Sequence, residues 1–325
     1  MKAVQLSRFG GPEVLEIVET PTPAPQPGEV LVRVQASGIN FFEILMRQDR
    51  YAVTPGLPMM LGVEAAGVIE ALGDGVASPA VGARVAVPLF AIGRSGGYAD
   101  YVVADAASVV PLPDELSFED ATALMVQGLT ALHLVRRSPP KDRAVLVNAA
   151  AGGVGSLLVQ LVRDSGARLM IAAAGSDEKR ELALALGADI AVDYGCPDWV
   201  ERVREATSGR GADIIYDFIG GSFTKACLDA LAPGGELVFG ALGRFSLDQA
   251  TMESLFARNQ SLKGFALLPL LTPDTLKADL GWLFDEAANG RLKVIQGGRY
   301  PLDRAADAHR AVERRHTVGK VVLIP

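Results

Sequence analysis

The sequence predicts an α/β protein in which a doubly wound parallel sheet is inserted into a discontinuous, mainly antiparallel β domain. Three observations predict it. Short strands split by Gly and Pro turns fill residues 2–103. Strand and helix signals alternate between residues 144 and 240. A last strand, Lys320–Ile324, stands far from any partner in sequence and is expected to return to the first domain.

The early strands are Lys2–Leu6, Leu15–Glu19, Val30–Ala36, Ala65–Leu72, Arg84–Pro88 and Ala99–Val103. The stretch PTPAPQP at 21–27 reads as an extended surface connection. Val145–Asn148 is a β-branched run of strand length, followed by a turn holding Gly152, Gly153 and Gly155. Beyond it, Val154, Leu157, Leu158, Leu161 and Val162 recur at i, i+3, i+4, i+7 and i+8, one face of a helix. Arg168–Ala173, Asp189–Asp193, Ala212–Phe218 and Glu236–Gly240 continue the strands, the last entered from the turn Pro233-Gly234-Gly235. Helices are expected over Glu178–Leu186, Trp199–Ala206 and the stretch marked by Phe223, Ala226, Cys227, Ala230 and Leu231. A further helix lies near Leu276–Ala288.

Composition narrows the function. The 325 residues suggest two domains, and 49% hydrophobic residues suffice for substantial cores. A net charge of −7 without a basic block argues against nucleic acid, whose phosphates are bound by Lys and Arg. The N-terminus MKAVQLSRF carries no signal-peptide core, and no apolar run reaches membrane-spanning length. Two cysteines, Cys196 and Cys227, make no disulfide framework. A soluble cytoplasmic protein is the simplest reading.

The glycine turn carries the first chemical hint. Backbone N–H groups at a helix start lack intrahelical partners and sit at the positive end of the macrodipole. Glycine lets an anion reach them. Ala150 to Gly155 reads A-x-G-x-x-G, a dinucleotide fingerprint with its first glycine replaced, at the carboxyl end of the first parallel strand. A nucleotide is expected there, with the active site in the crevice between the domains.

At full length the chain resembles the quinone oxidoreductase (zeta-crystallin-like) branch of the medium-chain dehydrogenase/reductases. The likeness rests on GGPEVLEIVETPTP at 10–23, ASGINFFE at 36–43, GVEAAGVIEALG at 62–73, GGYADYVV at 96–103, QGLTAL at 127–132, NAAAGGVGSLLVQLV at 148–162 and GKVVLIP at 319–325. One departure is Gly82-Ala83-Arg84-Val85, where the family has G-D-R-V. The resemblance implies a GroES-like catalytic domain (1–120 and 263–325) carrying a Rossmann domain (121–262). It also implies a homodimer, with Ser261–Ala266 as the pairing edge strand.

It further implies a zinc-free site. The metal ligands of the zinc-dependent cousins map to Asn40, Val63 and Gln127. Valine cannot ligate, and the amides are poor zinc ligands beside thiolate and imidazole. Two cysteines cannot build the cousins' four-cysteine structural lobe. Of the three histidines, His133, His309 and His316, His133 sits in the apolar helix LTALHLV as a packing residue and His316 lies in a polar turn before the last strand.

The second parallel strand ends in Ala172-Ala173-Ala174, without the acid that binds an NAD ribose. In the resembled branch a Ser, a Lys and a Tyr hold a 2′-phosphate, and they map to Ser176, Lys179 and Tyr194. NADPH is therefore the expected cofactor; Asp177 would speak for NADH if the strand ran longer. Further cofactor-lining positions carried over are Asn40, Glu43, Thr130, Ala150, Gly152, Gly153, Val154, Gly155, Phe239, Ala241, Phe265, Leu267 and Lys320.

A site without a Lewis acid favours acceptors that spread charge onto oxygen: a quinone, or an alkene conjugated to a carbonyl. Asn40, Tyr51 and Gln127 are the expected catalytic hydrogen-bond donors, with Tyr51 also a candidate proton source or aromatic wall. Glu43 stands where the family carries an acid near the nicotinamide ribose, and Glu64 is read as organising the site. Arg47 and Arg50 could bind an acidic substrate or be solvated charges. The alternatives are a reductase of enones, alkenals, acrylates or enoyl thioesters, or an NADPH-binding structural or RNA-associated protein with little turnover.

Overall fold

The computed structural model describes residues 1–240 and 247–325. It forms two compact units, Met1–Leu129 with Leu271–Pro325, and Thr130–Leu270. The sequence reading put these changeovers at 120 and 262.

The first unit opens with β1 (Lys2–Leu6), β2 (Leu15–Glu19), β3 (Glu29–Ile39), β4 (Met59–Met60), β5 (Ala65–Leu72), β6 (Arg84–Val87), β7 (Tyr101–Asp105) and β8 (Val110–Pro111). The long β3 is its spine, with alternating buried residues Val30, Val32 and Val34 packed on Ala65, Ile69 and Val85. β7 begins later than the sequence suggested. Ala99 contributes an isolated bridge to Ala3, and the ladder to β3 runs from Tyr101.

The second unit contains β9 (Ala144–Asn148), β10 (Leu169–Ala173), β11 (Ile190–Val192), β12 (Ala212–Asp217), β13 (Leu231–Phe239) and β14 (Ser261–Gly264). They lie in the order β11-β10-β9-β12-β13-β14 with every pair parallel. The strand order reverses beside β9, which is where such sheets bind ligands. Pro233-Gly234-Gly235 sits within β13 rather than before it. The ladder jumps there, from Ala212 opposite Leu231 to Ile214 opposite Glu236, so the turn residues survive as an irregularity of the strand.

The chain then returns to the first unit as β15 (Gln296–Pro301) and β16 (Lys320–Ile324). β16 pairs antiparallel with β3 and parallel with β15, completing a seven-stranded sheet. The return of the last strand is as expected. β15 was not foreseen, because its sequence QGGRYP has no alternation to betray it. No helix among the described residues is long and apolar enough to cross a membrane.

The glycine turn is built by steric exclusion. Ala149 adopts a left-handed φ of 50°, and its carbonyl accepts the Gly152 N–H at 2.8 Å. The helix Gly153–Asp164 starts directly after Gly152. A Cβ on Gly155 would stand 2.2 Å from the Ala149 oxygen, so any side chain there would force apart the helix and the strand end. Gly155→Ala should cost about 1–3 kcal/mol, read as a lowered urea midpoint; an unchanged midpoint would mean that the Ala149 turn can yield.

Candidate functional site

In the second unit the first turn of the helix Gly153–Asp164 presents half-buried Gly152, Gly153 and Val154, above buried Ala150 and Gly155. This small-residue helix start suits a diphosphate, because the N–H groups of a first helical turn lack intrahelical partners. One strand over, β10 stops at Ala173, and Ser176 caps the next helix, Asp177–Ala185, accepting the Lys179 N–H at 3.4 Å. The Tyr194 ring lies against Gly175, where a Cβ would come within 3.2 Å of its hydroxyl, and packs edge-on against Phe223. Ser176, Lys179 and Tyr194 are thus gathered around one turn.

Asp177 is the residue on which the cofactor choice hung. It opens a helix instead of ending a strand, its carboxylate is 91% exposed, and it pairs with Arg180. Arg180 is also held by Asp193 at 2.9 Å. Thr130 is buried on the helix Leu129–Arg137. Phe239 ends β13, and its carbonyl accepts the Phe265 N–H at 3.0 Å; Leu267 closes a turn onto Leu270. Ala241 lies outside the described residues.

The first unit holds a buried polar cluster. Asn40, Glu43, Glu64 and Lys320 come from the end of β3, the helix Phe41–Arg47, the residue before β5, and the start of β16. The Lys320 ammonium pairs with Glu64 Oε1 and donates to Asn40 Oδ1 at 3.0 Å; both ion-pair partners are fully buried. Asn40 Nδ2 donates to Glu64 Oε1 at 2.8 Å and lies 3.4 Å from Glu43 Oε2. Because an ammonium only donates, Asn40 must turn its oxygen to Lys320 and its NH2 group to the carboxylates. The amide expected to face a substrate therefore spends its donors inside the protein.

Glu43 differs from expectation in a similar way. Its Oε1 accepts the Gly62 N–H at 3.1 Å and its Oε2 the Asn40 N–H at 2.9 Å, and the side chain is wholly buried. Burial pushes this carboxyl up to about 7, the Asn40 N–H opposes the rise, and the Glu64 carboxylate adds to it. The buried Tyr98 hydroxyl faces Glu43 but meets no acceptor at good hydrogen-bonding geometry. Burial, and then the charge of Glu43, raises its pKa well above the usual phenol value.

Glu64 Oε2 accepts the Val126 N–H at 3.0 Å. Val126 lies in a π-helical turn, Leu124–Gly128, which also carries Gln127. The half-buried Gln127 has a buried Oε1 with no hydrogen-bond partner. Tyr51 is half-buried and tilted against Phe42 at 5.5 Å, and burial raises its pKa above 10.0. That makes it a poorer acid than a free phenol and favours its reading as a wall or hydrogen-bond donor.

Arg47 fits neither reading offered by the sequence. It is fully buried and bonded to Glu313 Oε2 at 2.7 Å, because the helix Ala305–Glu313 packs on the helix that carries it. Beside it, burial and the Arg47 charge push His309 down to about 3, so its imidazole is neutral. Arg50 is exposed. Sequence reasoning missed Tyr98 and the pairing of Lys320 with Glu64. A lysine opening an otherwise apolar last strand was the available signal.

Among the described residues no three His, Cys, Asp or Glu side chains stand together as a metal site would need. Cys227 is buried, accepts from Asn148 at 3.1 Å, and has its thiol pKa raised by burial.

Comparison with known proteins adds sequence likeness to this geometry. Residues 26–114 match the alcohol dehydrogenase GroES-like domain, and residues 186–323 match a family described as zinc-binding dehydrogenase. A quinone oxidoreductase of Pseudomonas aeruginosa is 36% identical over 331 residues, covering 100% of this chain and 99% of its own. A 2-haloacrylate reductase of a Burkholderia species is 32% identical, covering 99% and 98%. The structure of Escherichia coli quinone oxidoreductase complexed with NADPH superposes with a TM-score of 0.91 at 33% identity, covering 100% of both chains.

The folded state retains a proton on Glu43 that the unfolded chain releases above about 4.5, so this group's contribution to stability falls as pH rises from about 4.5 to about 7. Glu43→Gln should show a flatter urea midpoint than the unsubstituted protein across that window. Parallel curves for the two proteins would mean that Glu43 ionises alike in both states.

Proposed function

The chain belongs to the quinone oxidoreductase branch of the medium-chain dehydrogenase/reductase superfamily, and from that premise we propose that it is an NADPH-dependent reductase that passes hydride to a quinone without a catalytic metal. The observation that carries the cofactor choice is the end of β10. No acid stands there, Ser176, Lys179 and Tyr194 surround the following turn, and Asp177 is turned out toward Arg180. A cation and two hydroxyls at this turn suit a 2′-phosphate, and the neighbouring Asp177 and Asp193 carboxylates are paired with Arg180. The half-exposed Gly152, Gly153 and Val154 at the start of a helix suit the diphosphate.

The bound nicotinamide supplies the hydride. The protein's part is to hold the acceptor and stabilise charge on its oxygen. Gln127 is the fitting donor: its buried Oε1 has no partner to hold the amide, so its NH2 end can turn to the acceptor oxygen, whereas the Asn40 amide is engaged by Glu64, Glu43 and Lys320. Tyr51 offers a second hydroxyl, and water is the better proton source because burial weakens the phenol as an acid. The donor set supports the metal-free reading. Val63 cannot ligate, and Asn40 is bonded to a buried ammonium, which no cation would share readily. The same reading includes a homodimer paired through β14, which ends its sheet, with exposed Met252 and Phe256 on the helix Gln249–Ala257.

A second reading, reduction of a C=C bond conjugated to a carbonyl or carboxylate, is favoured by the likeness to a 2-haloacrylate reductase. NADPH oxidation against quinones of increasing size, enones, acrylates and an enoyl thioester separates the two. The quinone reading expects the highest kcat/KM with a quinone and no loss with a chelator. An acrylate or enone preferred by tenfold or more would replace it, and inhibition reversed by zinc would overturn the metal-free chemistry. Lys179→Ala should weaken NADPH binding by about tenfold or more while leaving NADH nearly unaffected; equal losses for both would remove the 2′-phosphate assignment.

A further inference from the structure

A π turn puts the helical hydrogen-bond ladder out of step and is held in place by what its backbone meets. Here the backbone N–H of Val126 meets a carboxylate buried in a charge cluster. The residue after it, Gln127, carries a buried amide oxygen with no partner. On the other side, Gly128 packs against Leu283 of the helix Pro273–Ala288, where an added Cβ would come within 3.3 Å.

The chemistry of Glu64 cannot be supplied by a neutral side chain. Oε1 takes the Lys320 ammonium and the Asn40 NH2 group, and Oε2 takes the Val126 N–H. Both oxygens must accept, and only a carboxylate accepts on both. An amide in its place has one oxygen. Lys320 would claim that oxygen, leaving an NH2 group against the Val126 N–H, donor against donor.

We propose that Glu64 is a positioning residue: paired with Lys320 through one oxygen, it clamps the π turn Leu124–Gly128 through the other and so sets where Gln127 places its amide against the acceptor. The proposal rests on the reading of Gln127 as the donor to the acceptor oxygen. It assigns Lys320 an indirect part as well, since the ammonium decides which way the Glu64 and Asn40 groups face. Misplacing a hydrogen-bond donor by about 1 Å can cost on the order of a hundredfold in rate. The clamp should therefore act on kcat and leave cofactor affinity alone.

The test combines amide hydrogen exchange of the peptide covering 124–128 with steady-state kinetics using NADPH and a quinone. In Glu64→Gln, exchange in that peptide should quicken and kcat should fall by about tenfold or more, with KM for NADPH unchanged within about twofold. On a Gln127→Ala background the same substitution should cost nothing further in kcat. Combining Glu64→Gln with Lys320→Met should restore slow exchange, because the new amide is then free to turn its oxygen to Val126. This pair also removes the uncompensated ammonium, which keeps the test available if the single variant folds poorly.

Unchanged exchange in both Glu64 variants would overturn the clamp. So would a kcat loss that multiplies with that of Gln127→Ala, since the two residues would then act independently. Faster exchange in Glu64→Gln together with full kcat in Gln127→Ala would leave the clamp on the π turn standing and instead overturn the reading of Gln127 as a donor.

Discussion

The buried ion pair between Glu64 and Lys320 is the constraint around which the first unit is organised. A carboxylate and an ammonium, both removed from water, are tolerated only when each is paired and hydrogen-bonded. Glu64 precedes β5, and Lys320 opens β16. The pair therefore joins positions on either side of the second unit in sequence and depends on the last strand lying on β3. Removing one partner of such a pair typically costs about 3–5 kcal/mol, because the other charge stays buried alone. The backbone is shaped to fit this pair. A Cβ on Gly38 would stand 2.4 Å from both Glu64 Oε1 and a Lys320 methylene carbon, so glycine is what lets the two side chains meet beside β3.

Around the pair the polar groups settle in an order set by valence. Lys320 has only donors, so Asn40 and Glu64 must face it with oxygens. That leaves Glu43 as a second carboxylate close to one cation already engaged by Glu64. Its burial keeps a proton on it toward neutrality, and its remaining contacts are backbone N–H groups. Tyr98 lies against it, with neutral His309 and buried Arg47 beyond. Such an arrangement is costly for stability alone, which makes a part in positioning the adjoining π turn the more economical account of it.

The second unit works by the opposite means. There the site is made from absence: small residues at the end of β10, glycine where a side chain would strike the Ala149 carbonyl, and helix starts with unpaired N–H groups. Ser176, Lys179 and Tyr194 gather around the turn after β10, and Arg180 pairs with Asp177 beside them. An NADPH-dependent reductase has a charged cofactor to hold, and helix-start N–H groups beside a cation suit that task.

The sequence by itself determined most of the architecture. Period-two and period-3.6 patterns located the longer strands of both units and the helices that alternate with β9 to β13, and the glycine turn declared its strand–helix junction, because these signals are local and are written in adjacent residues; the short β4 and β8, β15 and the helices Phe41–Arg47, Phe118–Ala123, Gln249–Ala257 and Ala305–Glu313 were not located. Residue identity alone also showed that Val63 could not hold a metal and that β10 ends without an acid. Tertiary structure decided the rest. Asn40 and Glu43 turn inward, Arg47 is sealed against Glu313, Asp177 heads a helix, and Lys320 meets Glu64 across 256 positions of chain. The direction of an amide or a carboxylate depends on which donors and acceptors the fold brings beside it, and hydrophobic periodicity carries no information about that pairing.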